Sequence, residues 1–172
     1  MLLASYKSTR PGVQGIANRL IRWRLRGQYS HSEIVFEPGD VPGHLLPDGS
    51  TRPDANGALW SVSSVAAERM PAWSQRRAGR IGGVRFKRIA FDPARWDMVR
   101  VRDADPMDAV ILAKRLEGLA YDWRGVSSFA LWLIPQDPER LSCAELCARL
   151  LGHVDPWRAD PCSLAARYGL RP

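Results

Sequence analysis

The amino-acid sequence predicts an α+β fold, because strand-like alternation and helical periodicity both occur along the chain. Five segments have the pattern of strands: Leu2–Tyr6, Tyr29–Phe36, Ala58–Ser63, Val84–Phe91 and Trp96–Arg102. Four segments have the pattern of helices: Val13–Leu25, Asp105–Glu117, Ser142–Gly152 and a short apolar stretch near Leu164. The 172 residues are enough for one well-cored domain and few for two. A single domain over residues 1–172 is therefore expected.

The first strand is followed by a turn at Ser8–Gly12 and then by the helix Val13–Leu25. Apolar side chains are expected on one face of this helix and arginines on the other. The apolar face consists of Ile16, Leu20 and Trp23. Gly27 is expected to end the helix as a C′ glycine.

The strand at Tyr29–Phe36 has a polar first half, which includes His31 and Glu33, and an apolar end at Ile34–Phe36. Because successive side chains of a strand point to opposite faces, His31, Glu33 and Val35 are expected on the same face. Residues 38–57 contain four prolines, four glycines and three aspartates, which predicts a long surface loop. A second exposed, irregular excursion is expected at Arg69–Gly83, between two strands.

The helix that starts at Asp105 has an acidic cap, Pro106 at its first helical position and an expected end at Gly118. Tyr121–Gly125 is expected to form a turn. The apolar run Ser128–Ile134 is expected to be a buried segment.

Ser142 starts the most informative helix, because Glu145 three residues later completes a capping box. Cys143 then lies in the first turn, where unpaired backbone N–H groups and the helix dipole favour a thiolate. A lowered thiol pKa makes a cysteine nucleophilic. The helix also has an apolar stripe, so the cysteine could simply be a buried core residue. The stripe consists of Cys143, Leu146, Cys147, Leu150 and Leu151.

A nucleophilic cysteine needs a general base, and the chain has three histidines. His44 lies in the surface loop, and His153 follows the end of the cysteine helix, where a cation needs no function. His31 lies inside a strand and has Glu33 on the same face. This carboxylate could hold the imidazole in one tautomer, or it could pair with an arginine across the sheet.

The net charge of +7 comes almost entirely from arginine. The arginines are spread along the chain, so no nucleic-acid partner is expected. No segment approaches the roughly 20 apolar residues that span a bilayer, which leaves only peripheral contact with a membrane open. The sequence has no apparent secretory signal, which predicts a protein that is cytoplasmic as synthesised. Three cysteines without zinc-ribbon spacing predict free thiols, with no metal and no cofactor.

Three motifs together resemble the NlpC/P60 superfamily of papain-like cysteine hydrolases. They are Tyr29-Ser30-His31, Gly118-Leu119-Ala120-Tyr121-Asp122-Trp123 with Gly125, and Ser142-Cys143-Ala144-Glu145-Leu146. His31 precedes Cys143, so the resemblance is to the circularly permuted branch, with its YiiX-like and lecithin:retinol acyltransferase-like proteins. The resemblance extends to a small group of phage and bacterial proteins, which have a similar stretch to Gly82-Gly83-Val84-Arg85-Phe86-Lys87-Arg88-Ile89. Ala144 replaces the serine of the family's Cys-Ser-Glu-Leu helix, which is a mild departure.

The resemblance implies a permuted papain-like fold, in which an antiparallel sheet packs against helices that include the nucleophile helix. It puts the nucleophile on Cys143 and the general base on His31. Tyr121 matches a tyrosine that lines the family's cleft.

The third polar residue of such a site lies, in ordinary relatives, on the strand after the histidine strand. That strand offers here only Ser61, Ser63 or Ser64. Glu33 is the preferred candidate, because a carboxylate orients an imidazolium better than a hydroxyl does.

The activity implied is hydrolysis of an amide or ester through an acyl-enzyme, with peptidoglycan stem peptides as the first candidate substrate. A lipid acyl hydrolase or acyltransferase is an alternative, since the permuted branch includes lipid-acting enzymes. A non-catalytic binding module is another. Without a signal peptide, a wall enzyme would need delivery to the envelope or to a target cell by a phage lysis system or a secretion machine.

Overall fold

A computed structural model describes residues 1–9, 13–122 and 140–172. The described chain is mixed α+β, with a five-stranded antiparallel sheet, a two-stranded parallel pair and four α-helices. The α+β prediction is therefore confirmed. The predicted turn at Ser8–Gly12, the Tyr121–Gly125 turn and the apolar segment Ser128–Ile134 lie partly or wholly outside the described residues.

The large sheet contains β1 (Leu2–Tyr6), β2 (His31–Phe36), β3 (Leu59–Arg69), β4 (Ile81–Ile89) and β5 (Trp96–Arg100). Its strand order is β4-β3-β2-β1-β5, and every neighbouring pair is antiparallel. The small parallel pair joins β6 (Ala120–Tyr121) to β7 (Arg140–Leu141). The helices are α1 (Val13–Leu25), α2 (Pro106–Leu116), α3 (Cys143–Leu150) and α4 (Pro161–Arg167). Residues 38–57 form the predicted loop, with one short 3₁₀ turn at Gly43–Leu45.

The helix starts follow from their capping residues. Asp105 accepts a hydrogen bond from the backbone N–H of Met107 at 2.7 Å, and Pro106 is the first residue of α2. Ser142 accepts one from the backbone N–H of Glu145 at 3.2 Å, which starts α3 at Cys143. Both helix starts confirm the sequence prediction, but of the predicted capping box the structure shows only the Ser142 half, since the Glu145 carboxylate binds Arg149 at 2.9 Å.

The predicted irregular excursion at Arg69–Gly83 is wrong at both ends, because β3 continues to Arg69 and β4 begins at Ile81. Gly82 and Gly83, which the prediction placed in the excursion, lie inside β4, beside an irregularity in its pairing with β3. Gly82 has φ +74°, and a Cβ there would lie 2.7 Å from the carbonyl oxygen of Ala66. Glycine is therefore required by a close approach of backbone within the sheet.

Helix α1 has the predicted bounds, but its predicted apolar face is not buried. Leu20 and Trp23 are 59% and 77% exposed, and the side chain of Ile16 is outside the described part. The helix end also differs from the prediction, because Arg26 rather than Gly27 has a positive φ, of 51°. Gly27 is needed for packing, since a Cβ there would lie 2.4 Å from the sulfur of Cys162.

The main core lies between one face of the large sheet and the helices α2 and α3. The sheet contributes Leu3, Ile34, Val62, Val84 and Phe86, and the helices contribute Val110, Leu146, Cys147 and Leu150. This packing fixes α3 against β2 and β3, so that its first residue reaches the start of β2.

Candidate active site

The start of α3 is held from the strand that precedes it. The carbonyl oxygen of Leu141 accepts hydrogen bonds from Ser64 Oγ at 2.6 Å and from the backbone N–H of Asp122 at 3.2 Å. Ser142 then caps the helix, and Cys143 follows as its first residue. The backbone before the cysteine is therefore anchored to both β3 and β6.

The start of β2 supplies the other side of the site. The ladder between β2 and β3 consists of Ile34↔Val62, Val35↔Ser61 and Phe36↔Trp60, so it ends before His31–Glu33. The backbone N–H of Ser32 donates instead to the sulfur of Cys143, as does the N–H of Ala144. The carbonyl of Ser32 accepts from Ser63 Oγ at 2.7 Å. The cysteine thus takes up a backbone donor that the sheet leaves unused.

The thiol of Cys143 hydrogen-bonds to the imidazole of His31, although 112 positions separate them in the chain. Burial alone would lower the pKa of His31, but the charge of Cys143 and, after it, that of Glu33 raise the pKa to about 9. Burial alone would raise the pKa of the Cys143 thiol, but His31 and the two backbone N–H donors hold it below its ordinary value. The arrangement therefore favours a thiolate beside an imidazolium.

Glu33 lies on the other side of the imidazole and is fully buried. Its Oε1 is 3.1 Å from His31 Nε2, and both of its oxygens accept from Arg85, at 3.0 and 3.1 Å. Burial alone would raise the pKa of this carboxyl, but Arg85 and then His31 hold it well below its usual range. Glu33 thus contacts both partners that the sequence suggested for it, the imidazole and an arginine across the sheet.

Arg85 is the residue that sequence reasoning missed. It is 1% exposed, and it also donates to Glu68 at 3.2 Å, which in turn binds Lys87. Arg85 and Lys87 alternate along β4, which was the signal that both side chains lie on the same face of the sheet. Their position opposite Glu33 depends on the strand order, which the local sequence pattern does not contain.

The three serines considered for the third position lie close to the site in different ways. Ser61 Oγ donates to Glu33 Oε2 at 2.5 Å, and Ser63 Oγ is 3.4 Å from His31 Nε2. Ser64 instead anchors the strand before α3. Glu33 has a shorter contact with the imidazole than Ser63 has, and Ser61 contributes by its hydrogen bond to Glu33.

Tyr121 is also brought to the site, at the end of β6. It is 7% exposed, and burial raises the pKa of its hydroxyl, with further contributions from Cys143 and Asp122. It therefore lies close enough to Cys143 for the charge of the thiol to act on its hydroxyl. The remaining histidines lie elsewhere: His44 is in the 3₁₀ turn of the long loop, and His153 is 3.0 Å from the hydroxyl of Tyr168.

The site is nearly closed to solvent, because Cys143 is 5% exposed and the side chain of His31 is 12% exposed. In the described part of the chain, no group of three or more His, Cys, Asp or Glu residues is arranged to hold a metal ion. Within the same residues, no helix has the length and apolar character needed to cross a bilayer. A comparison with protein-family models, curated proteins and solved structures finds no match to the chain.

Proposed function

We propose that the protein is a cysteine hydrolase that cleaves an amide or ester bond through an acyl-enzyme. One observation carries the proposal: a thiol at a helix N-terminus contacts an imidazole whose other side is fixed by a buried carboxylate. A nucleophile, a base and a group that orients the base are the parts that such chemistry needs. We assign these parts to Cys143, His31 and Glu33.

In the first step, the Cys143 thiolate attacks the substrate carbonyl and forms a tetrahedral oxyanion. His31 carries the proton taken from the thiol and delivers it to the leaving amine or alcohol as the C–N or C–O bond breaks. Because Nε2 faces Glu33, Nδ1 is the nitrogen assigned to this transfer. Water, deprotonated by His31, then attacks the thioester and releases the acid and the free thiol.

The oxyanion would be stabilised in part by the backbone N–H of Cys143, because the first N–H groups of a helix have no acceptor within the helix. The helix dipole adds to this stabilisation. The charge of Cys143 acts on Tyr121, which is the candidate to line the substrate cleft.

Arg85 contributes to this chemistry by keeping Glu33 ionised. A buried carboxyl without a cationic partner takes up a proton, and a neutral Glu33 would no longer stabilise an imidazolium. Arg85 binds both oxygens of the carboxylate, which also fixes its orientation. It is therefore a positioning residue that acts through Glu33.

Membership of the circularly permuted NlpC/P60 branch is the family proposal that fits these parts. It is supported by the order of His31 and Cys143 along the chain and by the packing of α3 on an antiparallel sheet. The substrate proposed first is a peptide bond of a peptidoglycan stem peptide. An acyl ester or amide of a lipid is the alternative of the same reaction type.

The deciding experiment is the pH dependence of alkylation of Cys143 by iodoacetamide, measured in a Cys147→Ala/Cys162→Ala background. We expect rapid alkylation well below pH 8, and its loss when His31→Ala is added. Alkylation that follows an ordinary thiol with a pKa of about 8.5, whether or not His31 is present, would contradict the proposal. A non-catalytic binding module would then be the better interpretation.

A further inference from the structure

Helix α1 has an inner and an outer side, and hydrogen bonds identify the inner one. Asn18 donates to Ser30 Oγ at 2.7 Å, and Arg22 donates to the carbonyl of Lys7 at 2.7 Å. Both contacts tie the helix to the strands β1 and β2. Ser30 directly precedes His31, so the inner side of α1 contacts the chain next to the candidate general base.

The outer side carries the two exposed apolar residues. With about 100° between successive residues of an α-helix, Leu20 and Trp23 point away from the side that Asn18 and Arg22 define. Trp23 is 77% exposed and Leu20 is 59% exposed, and they are neighbours at positions i and i+3. An exposed tryptophan beside an exposed leucine is an unfavourable surface in water alone.

Along the helix, the charged residues beside this pair are all basic. Arginines occupy four of the eight positions from 19 to 26, and no acidic residue occurs between residues 13 and 28. The same helical geometry places Arg19 and Arg24 on either side of Leu20 and Trp23, and all four side chains are exposed. The combination of apolar side chains flanked by arginines is typical of helices that lie in the interface of an anionic membrane.

We propose that α1 is a docking surface for the anionic lipid surface of a membrane. Trp23 and Leu20 enter the boundary between headgroups and acyl chains, and Arg19 and Arg24 bind lipid phosphates. A membrane fits better than a nucleic acid, because bases could stack on the tryptophan, but acyl chains bury both the tryptophan and the leucine. The proposal does not depend on the hydrolase activity.

The test is co-sedimentation of the full chain with large unilamellar vesicles at physiological ionic strength. We expect binding to vesicles of equimolar phosphatidylglycerol and phosphatidylcholine, and little binding to phosphatidylcholine alone. Leu20→Ser/Trp23→Ser should weaken binding about tenfold or more, because two apolar side chains no longer leave water. Arg19→Gln/Arg24→Gln should weaken it too and should reduce its sensitivity to salt.

Trp157→Ser is the matched control, because Trp157 is also an exposed tryptophan and packs under Arg158, but lies outside α1. It should bind as the wild type does, and so should Cys143→Ala. Circular dichroism verifies that each variant is folded. Unchanged binding by Leu20→Ser/Trp23→Ser would overturn the proposal. Absence of vesicle binding, with tight binding of a single-stranded RNA oligonucleotide that Arg19→Gln/Arg24→Gln weakens, would overturn it in favour of nucleic acid.

Discussion

The first and second turns of α3 each carry a buried free cysteine, yet their environments shift the pKa of the two thiols in opposite directions. Cys143 and Cys147 are 5% and 0% exposed. The pKa of Cys143 is lowered, because His31 outweighs the effect of burial. Burial raises the pKa of Cys147 well above its ordinary value, and the charges of Cys143 and Glu33 raise it further.

The comparison shows that burial alone does not make a thiol either reactive or inert. One helical turn changes the partners: Cys143 meets the imidazole of His31, while Cys147 lies in the apolar core and hydrogen-bonds to the backbone of Ile34. The helix therefore uses the same residue type once as a candidate nucleophile and once as a small core residue. Of the two roles considered for a cysteine in the apolar stripe, candidate nucleophile fits Cys143 and small core residue fits Cys147.

The largest effect should come from exchanging the two thiols separately. Cys143→Ser should lower the kcat/KM of hydrolysis at least about 1000-fold, because a hydroxyl is not ionised by an adjacent imidazole as a thiol is. Cys147→Ala should change kcat/KM no more than about threefold, since its thiol takes no part in the reaction. The measurement is steady-state hydrolysis of the substrate identified by screening stem peptides and acyl lipids. Equal losses in the two variants would remove the distinction.

The next effect concerns the buried charges of Glu33 and Arg85, which lie on the His31 side of Cys143. Glu33→Gln leaves the buried guanidinium of Arg85 with Glu68 as its acidic partner, so the free energy of unfolding should fall by about 3 kcal/mol, the lower end of the range for breaking a buried ion pair. Arg85→Met should cost a similar amount, because Glu33 loses its two hydrogen bonds from the guanidinium and must either stay charged or take up a proton. The double variant Glu33→Gln/Arg85→Met should be more stable than the sum of the single losses predicts. Urea unfolding measures all three, and strict additivity would contradict a direct pair.

The pH dependence tests the same charges from the side of reactivity. The proposed reaction needs the Cys143 thiolate together with the His31 imidazolium, so kcat/KM should fall on the alkaline side at about pH 9, where His31 loses its proton. On the acid side it should fall only as the thiolate is protonated, below the ordinary thiol pKa. Glu33→Gln removes a negative charge that raises the pKa of His31, so its alkaline limb should move to lower pH. A limb that does not move would separate Glu33 from the imidazole.

The stability that His31 contributes changes with pH in the same direction as the reactivity on the alkaline side: it decreases as pH rises. Its pKa in the folded chain, about 9, is above the unfolded value, so the stabilisation it contributes is complete below about pH 6.5 and is lost as pH rises through 9. The destabilisation caused by His31→Ala, measured by urea unfolding, should therefore be larger at pH 6 than at pH 10. The opposite order would mean that His31 is neutral in the folded protein.

The local sequence predicted what depends on local geometry. Capping placed Cys143 in the first turn of a helix, and alternation put His31 and Glu33 on one face, where they lie 3.1 Å apart. The contact between Glu33 and Arg85 crosses from β2 over β3 to β4, so it follows from strand order and not from any short pattern. Helical periodicity likewise predicts which side chains of α1 share a face, but not whether another element covers that face. For this reason the exposure of Trp23 was missed.

The smallest effect should separate the two serines that support the two sides of the site. Ser61→Ala removes the 2.5 Å hydrogen bond to Glu33 and should cost about 1.5–3 kcal/mol of unfolding free energy, because the acceptor is charged, although Arg85 still donates to the same oxygen. Ser64→Ala removes the bond to the carbonyl of Leu141, which still accepts from Asp122, so its cost should be lower, about 1 kcal/mol. In alkylation assays Ser61→Ala should act through His31 and shift the pH profile, whereas Ser64→Ala should act through the backbone before Cys143 and leave the profile in place. A shift in both variants would mean that the two supports are one coupled network.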